Sequence, residues 1–138
     1  MNNKKILKAN SKNLEQALHL LESGNIIIYP TDTLYGFGVD ASNEGAINKL
    51  NKLKNRIQPL SILLSSVDEI NKYGMIDNVV IKKISGLLPG PYTLLIKSKR
   101  NYNISNLVQG GSHLIGLRVI NMDFCNDLIS KLGKPIVT

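Results

Sequence analysis

The segment Ile26–Asp40, IIIYPTDTLYGFGVD, constrains the fold more than any other part of the chain. Ile26, Ile27, Ile28 and Tyr29 form a short apolar, mostly β-branched run of the kind buried in a sheet. Pro30 has no N–H to give and is expected to end ordinary ladder pairing. Thr31, Asp32 and Thr33 then place two hydroxyls and a carboxylate directly after a buried strand. Gly36 and Gly38 flank Phe37, where bare backbone lets another group approach. Polar groups at the mouth of a sheet are where α/β folds hold ligands. Read from the residues alone, Pro-Thr-Asp-Thr is also a turn whose side chains satisfy nearby backbone.

A chain of 138 residues with 43% apolar content is expected to form one domain with a real core. No apolar run approaches the ~20 residues of a membrane span. The basic N-terminus, MNNKKILKANSKN, lacks the apolar core and cleavage site of a signal peptide, so a cytoplasmic location is expected. The single Cys125 excludes an internal disulfide and, within MDFCNDLI, reads as a small buried hydrophobe. His19 and His113 lie far apart in sequence, and no metal site is expected, since zinc needs about four converging ligands. A net charge of +7 permits an anionic partner such as nucleotide or RNA. Part of that charge is the Lys4, Lys5, Lys8, Lys12 tail, and scarce aromatics argue against stacked single strands.

Helices and strands follow from periodicity. Ile6 and Leu7 read as a short edge strand. Ser11 or Asn13 caps a helix whose Leu14, Ala17, Leu18 and Leu21 make one apolar stripe, stopped at Gly24. Ser42 is the expected cap of a second helix with Ile47, Leu50 and Leu53, which runs into KNRIQPLSILLSS and the strand Leu60–Leu64. Ser66 and Glu69 form a capping-box pattern before Val67, Ile70 and Tyr73. Asp77 opens a helix expected to turn Val80, Ile81, Ile84 and Leu87 inward, ended by Leu88-Pro89-Gly90-Pro91. Tyr92–Lys97 is a strand, Ser98 to His113 a loop, and Leu114–Val119 a strand whose Arg118 needs a carboxylate or an anionic ligand. Asn121 or Asp123 opens the last helix, closed by Gly133, and Ile136-Val137-Thr138 begins a strand. An unpaired sheet edge at Lys134–Thr138 is expected, with poor solubility or self-association as its consequence.

Five pieces together resemble the YrdC-type family, the threonylcarbamoyl-AMP synthases. They are Tyr29–Gly38 (YPTDTLYGFG), Lys54-Asn55-Arg56 with Pro59-Leu60, Leu88–Leu94 (LPGPYTL), Gly116–Val119 (GLRV) and Gly133–Thr138 (GKPIVT), in the family's order. The resemblance implies a mixed α/β fold, a twisted sheet with flanking helices around an open basic cavity. It implies a reaction in which L-threonine, bicarbonate and ATP give threonylcarbamoyl-AMP and pyrophosphate, with Mg²⁺ accompanying ATP. Partner transferases then carry the threonylcarbamoyl group to tRNA. On this resemblance Lys54 and Arg56 neutralise phosphate and carbamate oxygens, as catalytic and nucleotide-binding groups. Thr31, Thr33, Arg118 and Thr138 bind L-threonine, Thr33 by direct contact and Arg118 through the carboxylate.

The sequence departs from the family pattern in four places. The family's Ser-x-Asn nucleotide motif would follow Thr138, so residues 1–138 read as one domain short at its C-terminus. Only Ile57 and Gln58 separate Arg56 from Pro59, and Leu88 and Ile120 replace a usual Trp and Pro. The first two departures bear on ATP binding. A catalytically impaired RNA-binding or interaction module is the alternative reading.

Overall fold

The computed structural model describes residues 5–138 apart from 56 and 102. Its order of elements is α1 (Ser11–Glu22), β1 (Ile27–Pro30), β2 (Tyr35–Gly38), α2 (Glu44–Lys54), β3 (Ser61–Leu64), α3 (Ile70–Tyr73), α4 (Asn78–Ile84), β4 (Leu94–Lys97), β5 (Leu114–Val119), α5 (Asp123–Leu132) and β6 (Ile136–Val137). Short 3₁₀ turns at Val67–Glu69 and Asn106–Gln109 precede α3 and β5.

β1 and β2 form an antiparallel hairpin, and the remaining strands are ordered β4-β5-β3-β6. β3 and β5 run parallel, while β4 and β6 pair antiparallel to their neighbours. The two sheets are joined through the residues after β2. Ala41 N–H donates to Pro135 at 3.1 Å, Val137 N–H donates to Val39 at 2.9 Å, and Asp40 bridges Ile136. β6 therefore lies between β3 on one side and residues 39–41 on the other. The expected unpaired edge at Lys134–Thr138 is not there, because backbone from the start of the chain covers it. The argument for self-association falls with it.

Apolar periodicity decides which helix covers which face. Leu14 and Leu21 of α1 meet Cys125, Leu128, Ile129 and Leu132 of α5 over Tyr29, Leu63 and Ile136. On the opposite face, Ala46, Ile47 and Leu50 of α2 and Ile70 and Tyr73 of α3 pack on Ile62, Leu64, Leu117 and Val137. Strand alternation explains the division: Ile62 and Leu64 point one way and Leu63 the other. Burying each such side chain contributes roughly 1.5–3 kcal/mol. Gly133 ends α5 in the left-handed region at φ 71°, where only a residue without Cβ is unstrained.

Several local expectations change. Ile6 and Leu7 are not a strand; Ile6 is 95% exposed and has no neighbouring strand to pair with. Asn43, not Ser42, caps α2, its side chain accepting from Ala46 N–H at 2.9 Å. Ser42 instead donates to Asp40. No capping box forms at Ser66, since Glu69 accepts from the Ser65 N–H and hydroxyl. Val80 and Leu87 are 43% and 49% exposed, because α4 is short and only Ile84 of it reaches the core cluster. Pro30 stays in register opposite Tyr35, since it sits at the last rung and Thr31 N–H makes the closing bond to Leu34. Cys125 is buried as expected, its thiol donating to Pro30 O at 3.2 Å.

Candidate functional site

The candidate site forms where the β1–β2 turn folds over the sheet. In the parallel pair, Ser61 lies opposite Gly116 and Leu63 opposite Arg118. A Cβ at Gly116 would stand 2.5 Å from Ser61 Oγ, so the glycine makes room for that hydroxyl. Arg118 reaches the turn, and its Nη2 donates to Asp32 Oδ1 at 2.7 Å. The two side chains are only 14% and 19% exposed, so their charges are poorly screened. Arg118 Nε is buried and has no hydrogen-bond partner among the described residues.

The turn itself is tied by Thr31. Its N–H and its hydroxyl both donate to Leu34 O, at 3.2 and 2.5 Å. Thr31 Oγ1 accepts from Thr33 N–H and lies 3.3 Å from Thr33 Oγ1. Since the single Thr31 proton goes to Leu34, Thr33 is the donor between the two hydroxyls and keeps its oxygen lone pairs for another partner.

Thr138 enters from β6. Its N–H donates to Ser61 O at 2.8 Å. A methyl at Gly36 would lie 3.6 Å from Thr138 Oγ1 and 3.7 Å from the Thr31 methyl, so the first and last motifs meet across that glycine. Beneath them, the Tyr29 hydroxyl donates to Val137 O at 3.4 Å. Burial raises its pKa well above the ordinary phenol range, with the Thr138 side chain acting in the opposite direction. The Tyr29 ring requires Gly38, where a Cβ would come 2.6 Å from Cε1.

Lys54, at the end of α2, lines a cavity of about 140 Å³ with Asn51, Gln58, Pro59, Leu60, Ser61 and Thr138. Its ammonium stands 5.8 Å from the Phe37 ring centroid. Arg56 lies outside the described residues. A large, positively lined open cavity is not seen among the described residues. Nor does any group of three or more His, Cys, Asp or Glu among them form a metal site.

Of the residues expected from sequence, Thr31, Thr33, Arg118 and Thr138 thus sit around the turn, and Lys54 shares a cavity with Thr138. Asp32, Tyr29 and Ser61 were not assigned. The signal for Asp32 was available, because a strand arginine needs a carboxylate and Asp32 stands among the turn threonines. Nothing in the sequence marks Ser61.

A model of the Sua5/YciO/YrdC family, described as "Telomere recombination", matches residues 19–138. The chain belongs to this family. The match spans the turn, α2, β5 and β6, and so every element that carries the candidate site. Among curated Sua5/YciO/YrdC relatives, a threonylcarbamoyl-AMP synthase from Vibrio campbellii is 30% identical over 92% of this chain and 70% of its own length. A putative threonylcarbamoyl-AMP synthase from Methanocaldococcus jannaschii is 38% identical over 69% of this chain and 49% of its own. The chain thus spans about half the length of the latter. Solved family structures share the fold. P. abyssi Sua5 complexed with L-threonine superposes with a TM-score of 0.82 at 22% identity, over 96% of this chain and 39% of that one. E. coli YciO gives 0.81 at 24% identity, over 93% and 63%. No described helix is long and apolar enough to cross a membrane.

Proposed function

We infer that this chain carries the site of a threonylcarbamoyl-AMP synthase, joining L-threonine, bicarbonate and ATP into threonylcarbamoyl-AMP with release of pyrophosphate and water. The observation that supports it most is the meeting of Thr31, Gly36 and Thr138, more than 100 residues apart in sequence, beside the cavity that Lys54 lines. The Thr138 hydroxyl and the Thr31 methyl flank Gly36, the Arg118 guanidinium of β5 is bonded to the same turn through Asp32, and the Lys54 side chain lines the cavity with Thr138.

In this reading Arg118 holds the threonine carboxylate by charge-assisted hydrogen bonds. Thr33, with lone pairs to spare, accepts from the substrate, and Thr138 completes the hydroxyl set. Lys54, with Arg56, neutralises phosphate and carbamate oxygens as charge builds on them. Mg²⁺ finds no cage among the described residues and belongs with the triphosphate as part of the substrate. The product would pass to transferases that modify tRNA, in the cytoplasm.

Calorimetric titration of L-threonine tests this, with and without ATP and bicarbonate, alongside pyrophosphate release. Binding that tightens with ATP, and release that needs all three substrates, is the expected result. A folded protein that binds neither threonine nor ATP would leave the interaction-module reading as the better one.

A further inference from the structure

We propose that Asp32 receives the α-ammonium group of the amino-acid substrate, so that the Arg118–Asp32 pair reads a zwitterion rather than a carboxylate alone. The proposal rests on the synthase reading above and adds a specificity-determining residue to it.

The pair is joined by one hydrogen bond, from Arg118 Nη2 to Asp32 Oδ1. Arg118 Nε, a buried N–H donor, has no partner, and Asp32 Oδ2 accepts no hydrogen bond from a described residue. The guanidinium therefore carries a donor without a partner, and the carboxylate bonded to it carries a free acceptor oxygen. A buried donor left without an acceptor is unfavourable, and a carboxylate retains lone pairs for further donors. An α-amino acid offers the matching set: carboxylate oxygens that accept and an ammonium that donates, held by adjoining carbons.

Charge points the same way. The pair is net neutral and shielded, as a zwitterion is. A substrate with a carboxylate but no amine would reach Arg118 while facing the Asp32 charge. Like charges this poorly screened repel, so hydroxy acids and other simple carboxylates are disfavoured. Thr33 follows Asp32 directly in the turn, and its hydroxyl, held by Thr31, is the neighbouring group we assign to the substrate side chain.

The test is titration of the full chain with L-threonine, with its 2-hydroxy analogue, 2,3-dihydroxybutanoate, and with N-acetyl-L-threonine. Wild type is expected to bind threonine and to hold both analogues at least ~30-fold more weakly, as a site built to hydrogen-bond a missing group does. Asp32→Asn keeps the shape and removes the charge. It is expected to weaken threonine about 10-fold or more and to bring the dihydroxy acid within about threefold of it, with partial recovery in Asp32→Glu. Tighter threonine binding by Asp32→Asn would mean that Asp32 competes for Arg118 and would overturn the proposal. So would an unchanged preference in that variant. If the variant does not fold, wild type alone decides, since equal affinity for threonine and the dihydroxy acid sinks the idea. Wild type that binds no threonine at all overturns the synthase reading, whereas threonine binding with no amine preference overturns only the role of Asp32.

Discussion

Two ion pairs tie the stretch after β1 to the second half of the chain, one at β5 and one just before β6, and they are built differently. Asp40 is buried and saturated. Its Oδ1 accepts from the Ser42 N–H and hydroxyl at 2.8 and 2.7 Å, and its Oδ2 accepts from Lys134 Nζ at 3.0 Å. Lys134 also reaches Ser42 Oγ at 2.9 Å, which closes the group on itself. Asp32 and Arg118 share one bond of 2.7 Å, and each keeps capacity for more. Both pairs are charge-assisted and mostly shielded on the acidic side, so distance and burial alone do not distinguish them. Saturation does. The first pair holds residues 39–41 to the start of β6, and both of its carboxylate oxygens are engaged within the protein. The second leaves Arg118 Nε and one Asp32 oxygen without a partner among the described residues.

The largest effect that would break this contrast is expected from Arg118→Ala. Truncating one partner of a shielded charge pair should weaken L-threonine about 100-fold or more, read by calorimetry. If binding survives, Arg118 belongs with the structural pairs. Asp40→Ala should show the reverse pattern, with stability falling by about 2–3 kcal/mol in urea unfolding and threonine affinity moving far less.

A smaller effect reads the open pair through its neighbour. Burial pushes the Cys125 thiol up to about 12, with Asp32 raising it further and Arg118 lowering it. A thiol raised in the folded state stabilises fully below the unfolded pKa of about 9, and that contribution is lost as pH climbs toward the folded value. Unfolding stability should therefore decline above pH 9, by at most about 1.4 kcal/mol per pH unit from this group, and Cys125→Ala should flatten the decline. In Asp32→Asn the thiol should titrate at lower pH, whereas Asp40→Asn should leave it unmoved; alkaline absorbance of the thiolate measures both. The smallest effect calibrates the scale. Glu69–Lys72 is a surface pair at 3.4 Å with the lysine 60% exposed, and Lys72→Ala should cost less than about 0.5 kcal/mol.

How far the chain could be read depended on how local each signal was. Leu14, Ala17, Leu18 and Leu21 announce α1 because a helix repeats its contacts every three or four residues. Gly133 marks the end of α5 because a left-handed turn excludes most side chains. The pairing of Lys134–Thr138 was misjudged, since its second neighbour, residues 39–41, lies almost the whole chain away. Val80 and Leu87 have the right spacing for a core face, but no element is placed to cover them. Ser42 and Asn43 both suit a helix cap, and Asp40 decided between them by engaging the serine. The motif residues of the site were readable through resemblance; that Arg118 needs a carboxylate was readable too, but that Asp32 supplies it shows only once the β1–β2 turn is folded against β5.

The placement of β6 also bears on how the protein is made. β6 joins the hairpin end of the sheet to β3, yet it follows in sequence every strand it connects. While the polypeptide is being synthesised, the hairpin and the β4-β5-β3 unit can each gather locally, but the backbone pairing that joins them forms only once β6 has left the ribosome. Contacts of such long range close slowly. The half-assembled molecule, with the β3 edge bare, is the form that a chaperone would meet.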